Sequence, residues 1–291
     1  MKVSKSSRSR HRGKFVALCL ILVVLAGGAV AGYWAYQNQA QIAETQRAND
    51  EATRVADAKL AEIEAKKKEP VYITLPGADK ILAPAENYED PTNIWTLVNK
   101  ERALPDGYIP PQLVVASVST RANSTADEKR IRKTIDSPVI EMFSAAQKEG
   151  HSLMIGSAYR SAVTQDQLFN RYVADAGYEQ ANKYSAHPGH SEHQTGLAID
   201  ISTTSQQCYL SECFINTADG QWLAENAHTF GFHLRYQKGK EAITGYNFEP
   251  WHYRYVGRDL ATALHQSGLT LDEAWPYLEA ALATLRANNA V

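Results

Sequence analysis

Two short stretches of this chain hold residues suited to chemistry: SEHQTGLAID at 191–200 and EPWH at 249–252, almost fifty residues apart. Between them they supply His193, Asp200, Glu249 and His252. Two neighbouring ligands plus one distant ligand is a common way to build a three-ligand zinc site with an open fourth position. Histidine nitrogens with a carboxylate oxygen suit Zn²⁺. Water at the open position becomes more acidic, and Glu249, three residues before His252, is placed to take its proton as general base. Each residue also has a plainer reading. A histidine in a strand is usually a satisfied polar group, Asp200 could be a cap or an ion-pair partner, and His187, His190 and His193 could form a histidine-rich loop of no specific role. Composition and spacing leave both readings open.

The elements that must position these residues can be read around them. LAIDIS at 197–202 reads as a strand with Leu197, Ile199 and Ile201 on one face and Asp200 on the other. PWHYRYVG at 250–257 reads as a second strand carrying His252, and SLMIGSAYR at 152–160 and FHLRY at 232–236 as two more. Helices intervene. Ser137-Pro138 opens one, with proline in its first position, and Gly150 closes it. Another spans about 162–176 before Gly177, and Asp219 caps one that ends at Gly231. Two C-terminal helices follow, the last opened by the capping box from Thr270 to Glu273. This pattern predicts an α+β fold: a small mixed or antiparallel sheet with flanking helices and the zinc site on the sheet.

The N-terminal part has a different composition. Residues 1–14 carry six basic residues and no acid, and are expected to be a cytoplasmic segment. Residues 15–36 carry no charge and are long enough to cross a bilayer as a helix, with Tyr33, Trp34 and Tyr36 as an interfacial anchor at the far end. A retained signal-anchor is the expectation, with the catalytic part outside the membrane. The alternative is a cleaved signal and secretion, since Ala29-Val30-Ala31 resembles a cleavage site. Cys19 reads as a membrane-embedded thiol, because Leu18 does not fit the small residues expected before a lipidated cysteine. Residues 37–69, rich in Ala, Glu, Lys and Gln, read as a solvated helical spacer with too weak an apolar stripe for a coiled coil. Residues 70–89 read as a linker and 90–291 as one domain with a sizeable core. Setting residues 1–14 aside leaves 24 basic against 32 acidic residues, a net charge of −8, which argues against a nucleic-acid partner. Cys208 and Cys213, in an oxidising compartment, read as a disulfide; a zinc thiolate pair would want closer spacing and a second pair.

SEHQTGLAID resembles the SxHxxGxAxD signature of the VanY-type D-alanyl-D-alanine carboxypeptidases, matching it at Ser191, His193, Gly196, Ala198 and Asp200. EPWHYRYVG resembles that family's second signature. GSAYRS at 156–161, with Gln165 and Leu168-Phe169, resembles a third block, and 97–114 resembles its N-terminal wrapping segment. The resemblance implies a zinc peptidase acting on peptidoglycan stem peptides. His193, Asp200 and His252 would hold one Zn²⁺ per chain, and Glu249 would be the base. Arg160 would face the scissile carbonyl or the terminal carboxylate, and Gln165, Ser191 and Tyr236 would line the peptide groove. It leaves the choice between a D,D and an L,D bond open. Three rival readings are an endopeptidase or amidase on a related zinc scaffold, a wall-binding module without turnover, and a membrane-tethered scaffold whose spacer is the working part, which the weak apolar stripe argues against.

Overall fold

The computed structural model describes residues 8–67, 69–289 and 291, in two units, Met1–Glu69 and Pro70–Val291. The first is a single helix, α1 (Arg8–Lys66), running unbroken from the apolar stretch into the charged one. Its large apolar side chains from Leu20 onward are exposed. Among the described residues it is the one helix long and apolar enough to cross a membrane, a test that a signal sequence passes equally. Of the basic segment expected over 1–14, residues 1–7 lie outside the described residues.

The second unit begins with two short antiparallel pairs. β1 (Tyr72–Ile73) pairs with β2 (Ile81–Leu82), and β3 (Leu113–Val115) with β4 (Arg130–Arg132). There follow α2 (Lys133–Lys148), β5 (Leu153–Ser157), α3 (Ala162–Ala176), α4 (Tyr178–Ala181), β6 (Ala198–Thr203), α5 (Ala218–Asn226), β7 (Phe232–Leu234), α6 (Glu241–Thr244), β8 (His252–Tyr255), α7 (Arg258–Ser267) and α8 (Leu271–Ala287). The central sheet has the order β5-β6-β8-β7, with every pairing antiparallel. The fold is α+β.

The strand period of two decides what this sheet presents. Ile199 and Ile201 of β6 and Tyr253 of β8 join Ile135, Val139 and Met142 of α2 in one apolar cluster. Asp200, His252 and Arg254 alternate with them and take the other face, and the register sets Asp200 directly opposite His252. Directly opposed residues in an antiparallel pair lie about 5 Å apart at Cα. Strand pairing alone therefore delivers two of the candidate ligands to one spot.

A second cluster joins α7 and α8 to the segment that precedes the sheet. Ile73, Leu75, Ile81, Tyr88 and Trp95 are buried against Leu260, Leu264, Leu278 and Leu282, and the Trp95 indole donates to the Val256 carbonyl at 2.7 Å. Residues 70–89, read from the sequence as a linker, are thus part of the packed unit. Their Pro- and Asn-rich composition reflects irregular backbone, and the apolar residues between the turns supply the burial.

Two helix starts also differ from expectation. α2 begins at Lys133, directly after β4, and Pro138 sits inside it. The proline forgoes one backbone bond, while the buried face of Ile135, Val139, Met142 and Ala146 runs through it. α5 is capped by the Thr217 hydroxyl, which accepts from Gly220 N at 3.0 Å. Asp219 instead faces His151 Nδ1 at 3.1 Å. The capping box of α8 is present, with Thr270 and Glu273 bonded in both directions.

Candidate active site

His193 lies on a short 3-10 turn, Glu192–Thr195, that runs into β6. Gly196 ends the turn in the left-handed region, φ +66°, and a Cβ there would come within 3.0 Å of Arg132 Cγ and Leu113 Cδ2. Only glycine meets both demands. His193 Nδ1 bonds the Ala158 carbonyl at 2.6 Å, which assigns the proton to Nδ1 and leaves the Nε2 lone pair free. His252 is held the other way round: its Nε2 faces Glu192 Oε2 at 3.3 Å, so its Nδ1 is the free atom. A carboxylate or carbonyl behind each ligating imidazole is the arrangement that metal sites use to fix ring and tautomer.

The free atoms converge. His193, Asp200 and His252 each offer a ligand atom within 4.8 Å of the others, and all three are buried. His193 Nε2 stands 3.3 Å from Asp200 Oδ2, and His252 Nδ1 stands 3.3 Å from Asp200 Oδ1. Yet His193 Nε2 and Asp200 Oδ1 have no hydrogen-bond partner. Buried polar atoms this close without bonding one another lack the partner that a cation supplies. Two nitrogens and a carboxylate oxygen form a donor set that fits Zn²⁺ with one position open.

Glu249 borders the same point, its Oε2 3.7 Å from His252 Nδ1. Burial pushes its carboxyl up to about 8, against the pull of His252. Burial also raises Asp200, but His193 and His252 outweigh it and hold that carboxyl well below the usual range. His252 goes up to about 9, its burial outweighed by the adjacent carboxylates of Asp200 and Glu192. A divalent cation at this point would favour carboxylate and neutral imidazole throughout.

A cavity of about 210 Å³ opens onto these groups and brings together every site residue expected from the sequence except the two cysteines. Arg160, Gln165, Ser191 and Tyr236 all line it. The Arg160 Nε and the Gln165 Oε1 are buried without partners, while Gln165 Nε2 is fixed by the Ala186 carbonyl at 2.7 Å. The Tyr236 ring lies 4.8 Å from that of His252. Cys208 and Cys213 lie off the cavity, bonded to one another.

Sequence reasoning left other residues without a role. Tyr246 lines the cavity with an unpartnered buried hydroxyl, as do Tyr172, Leu210 and Trp251 with other atoms. Behind His252, Glu192 accepts from Arg235 Nε at 2.8 Å and Arg254 Nη1 at 2.9 Å. Burial raises this carboxyl, yet the two guanidinium groups hold it far below the usual range. Glu192, the nearest alternative to Glu249 as base, is therefore committed to a structural network. Arg254 could have been found, since it follows His252 by two positions and so shares its strand face.

The sheet-borne ligand set with an adjacent buried carboxyl defines the class of a metal-dependent hydrolase. The family model for D-alanyl-D-alanine carboxypeptidase, VanY, matches residues 128–258. The Bacillus subtilis (strain 168) protein YodJ, which bears a carboxypeptidase name, is 45% identical over 188 residues, covering 65% of this chain and 69% of that protein. The solved LdcB LD-carboxypeptidase is 44% identical with a TM-score of 0.61, covering 65% of this chain and 88% of that one. A VanY D,D-pentapeptidase mutant solved with Zn(II) is 32% identical with a TM-score of 0.52, covering 62% and 98%. This chain belongs to the VanY carboxypeptidase family.

Proposed function

We propose that this protein is a zinc-dependent carboxypeptidase that removes the C-terminal D-alanine from peptidoglycan stem peptides, with one Zn²⁺ per chain on His193, Asp200 and His252. The observation that carries the reading is the convergence of unpartnered buried ligand atoms beside Glu249, in a chain of this family. Bound zinc would polarise the scissile carbonyl and make water acidic. Glu249 takes the proton of the attacking water and passes it to the leaving amine; its place beside His252 Nδ1, at 3.7 Å, puts it next to the open metal position. Arg160 presents its unpartnered guanidinium to a carboxylate or carbonyl oxygen. Gln165 Oε1 and the Tyr246 hydroxyl offer fixed partners for peptide groups, and Ser191 and Tyr236 complete the wall.

The higher identity with LdcB than with the VanY structure favours the L,D bond of a tetrapeptide. We further propose a single-pass anchor in a bacterial cell membrane through residues 15–36, with the enzyme on the outer side. Residues 37–66 of α1 would span about 45 Å at 1.5 Å per residue, a reach into the wall. The test is incubation of the full-length zinc-loaded protein with purified muropentapeptide and murotetrapeptide, followed by mass analysis. Loss of one terminal alanine is expected, and faster from the tetrapeptide. Cleavage inside the peptide, or release of the whole peptide from the sugar, would replace this reading with an endopeptidase or an amidase. Glu249→Gln should keep its zinc and lose about 10² to 10⁴ in kcat.

A further inference from the structure

Cys208 and Cys213 are joined by a disulfide, Cα to Cα 5.5 Å, in the loop that follows β6. Leu210 lies inside this closed loop and lines the same cavity as His193, Asp200 and Glu249. The loop is tied down on either side of it. Cys208 packs against the sheet's apolar cluster, and Phe214, one residue after Cys213, is 1% exposed within that cluster. Tyr209 lies against edge strand β5: a Cβ on Gly156 would fall 2.9 Å from its ring, and the Arg121 guanidinium covers the ring at 5.0 Å. Adjacent residues thus face two ways, Tyr209 to the sheet edge and Leu210 to the cavity.

The backbone here is held in an unfavourable form. Gln206, Cys208 and Leu210 have φ of +58°, +56° and +47°. Positive φ is costly for any side chain and an outlier for a bulky one. Leu210 recovers little of that cost in the fold, being 38% exposed and outside the core clusters. The disulfide closes so short a loop that its effect on the unfolded chain is small. Leu210 shares the cavity wall with charged groups, among them Arg160, Asp200 and Glu249, and with aromatic rings such as Tyr246 and Trp251. A leucine pinned there, 38% exposed, gains apolar contact when the cavity is filled.

We propose that the Cys208–Cys213 disulfide holds Leu210 at the cavity wall as a specificity-determining residue, which packs on an aliphatic part of the bound peptide, so that substrate affinity depends on this pair staying oxidised. The inference rests on the function proposed above. Reduction by a phosphine gives the two sulfurs an electron pair and two protons, and phosphorus leaves as the phosphine oxide with oxygen from water. The freed loop can then relax its positive φ angles and withdraw Leu210.

The test uses full-length, zinc-loaded protein and a stem peptide ending in D-alanine, with KM and kcat measured separately. Leu210→Ser should raise KM about tenfold, the worth of one buried leucine contact, with kcat within about twofold and zinc content unchanged. Leu210→Met should retain the wild-type KM. Phosphine treatment, or Cys208→Ser with Cys213→Ser, should raise the wild-type KM in the same direction and add nothing to Leu210→Ser, since both act on one contact. An unchanged KM in Leu210→Ser would overturn the proposal. So would a reduction effect of equal size in wild type and Leu210→Ser, which would mark the disulfide as a general support. Absence of turnover in the oxidised wild type would instead overturn the proposed function beneath it.

Discussion

Two clusters of buried charge share His252 and differ in how completely they are paired. Behind its Nε2, Glu192 accepts from two arginines; Arg235 also reaches Asp272 at 2.5 Å, and Arg254 donates to the Thr96 and Ile94 carbonyls at 2.8 and 3.1 Å. In front of its Nδ1, His193 Nε2 and Asp200 Oδ1 find no hydrogen-bond partner. Burial is near complete in both clusters. Burying a charge costs much unless it is paired, so the first cluster reads as architecture and the second as a donor set suited to a cation. Arg235 Nη2 in the first cluster is also without a partner, so what separates the two is the carboxylate: both Glu192 oxygens have hydrogen-bond partners, and Asp200 Oδ1 has none.

That contrast can be broken most forcefully on the paired side. Arg254→Met should leave the Glu192 carboxylate with two of its three partners and destabilise the protein by about 3–5 kcal/mol, the usual consequence of breaking a buried ion pair. Chemical unfolding of the metal-free protein measures this. His193→Ala, on the unpaired side, should cost the metal-free fold less and abolish zinc binding. Equal destabilisation by the two variants would erase the distinction drawn here.

A smaller effect should appear where the clusters meet. Glu192→Gln keeps the volume but weakens the acceptor that orients His252. Zinc affinity should fall about 10- to 100-fold, as for other groups behind a metal ligand, read by competition with a chelator. An unchanged affinity would show that Glu192 serves the arginines alone.

The smallest effect concerns His233, buried next to the paired cluster, whose protonation is pushed down to about 3 by burial and then by Arg235. Its folded affinity for protons lies below the unfolded value of about 6.5. The stability it contributes is therefore present above pH 6.5 and is lost as pH falls from there towards about 3. The loss is at most about 1.4 kcal/mol per pH unit. His233→Gln should show a shallower decline than wild type over pH 6.5 to 5, where exposed carboxylates still carry their charge. Parallel curves would mean that His233 is reached by water.

The unpaired cluster was far more legible in the sequence than the paired one. LAIDIS states its own alternation, so Asp200 falls on the polar face by period alone, and His193 and the EPWH stretch stand out by residue type. The paired cluster draws Glu192, Arg235, Arg254 and Asp272 from four separate segments. No local period links an arginine after β7 to an aspartate in the first turn of α8. Misread stretches had physical causes of the same kind. Pro138 marks a permitted helix start, but packing of the buried face carries α2 across it. Residues 70–89 look like a linker until α7 and α8 supply the surface against which Ile73, Leu75 and Ile81 are buried. Leu210 gave no signal, because a half-exposed leucine is ordinary until the cavity beside it is known.

The central claim is that the unpaired cluster exists to hold a catalytic zinc ion. Metal analysis of purified, chelator-free full-length protein, paired with activity on a peptide ending in D-alanine, tests it most directly. About one zinc per chain is expected, with activity lost on chelation and restored by Zn²⁺, and with neither binding nor activity in His252→Ala. A metal-free protein that cleaves the peptide at the full rate would contradict the account.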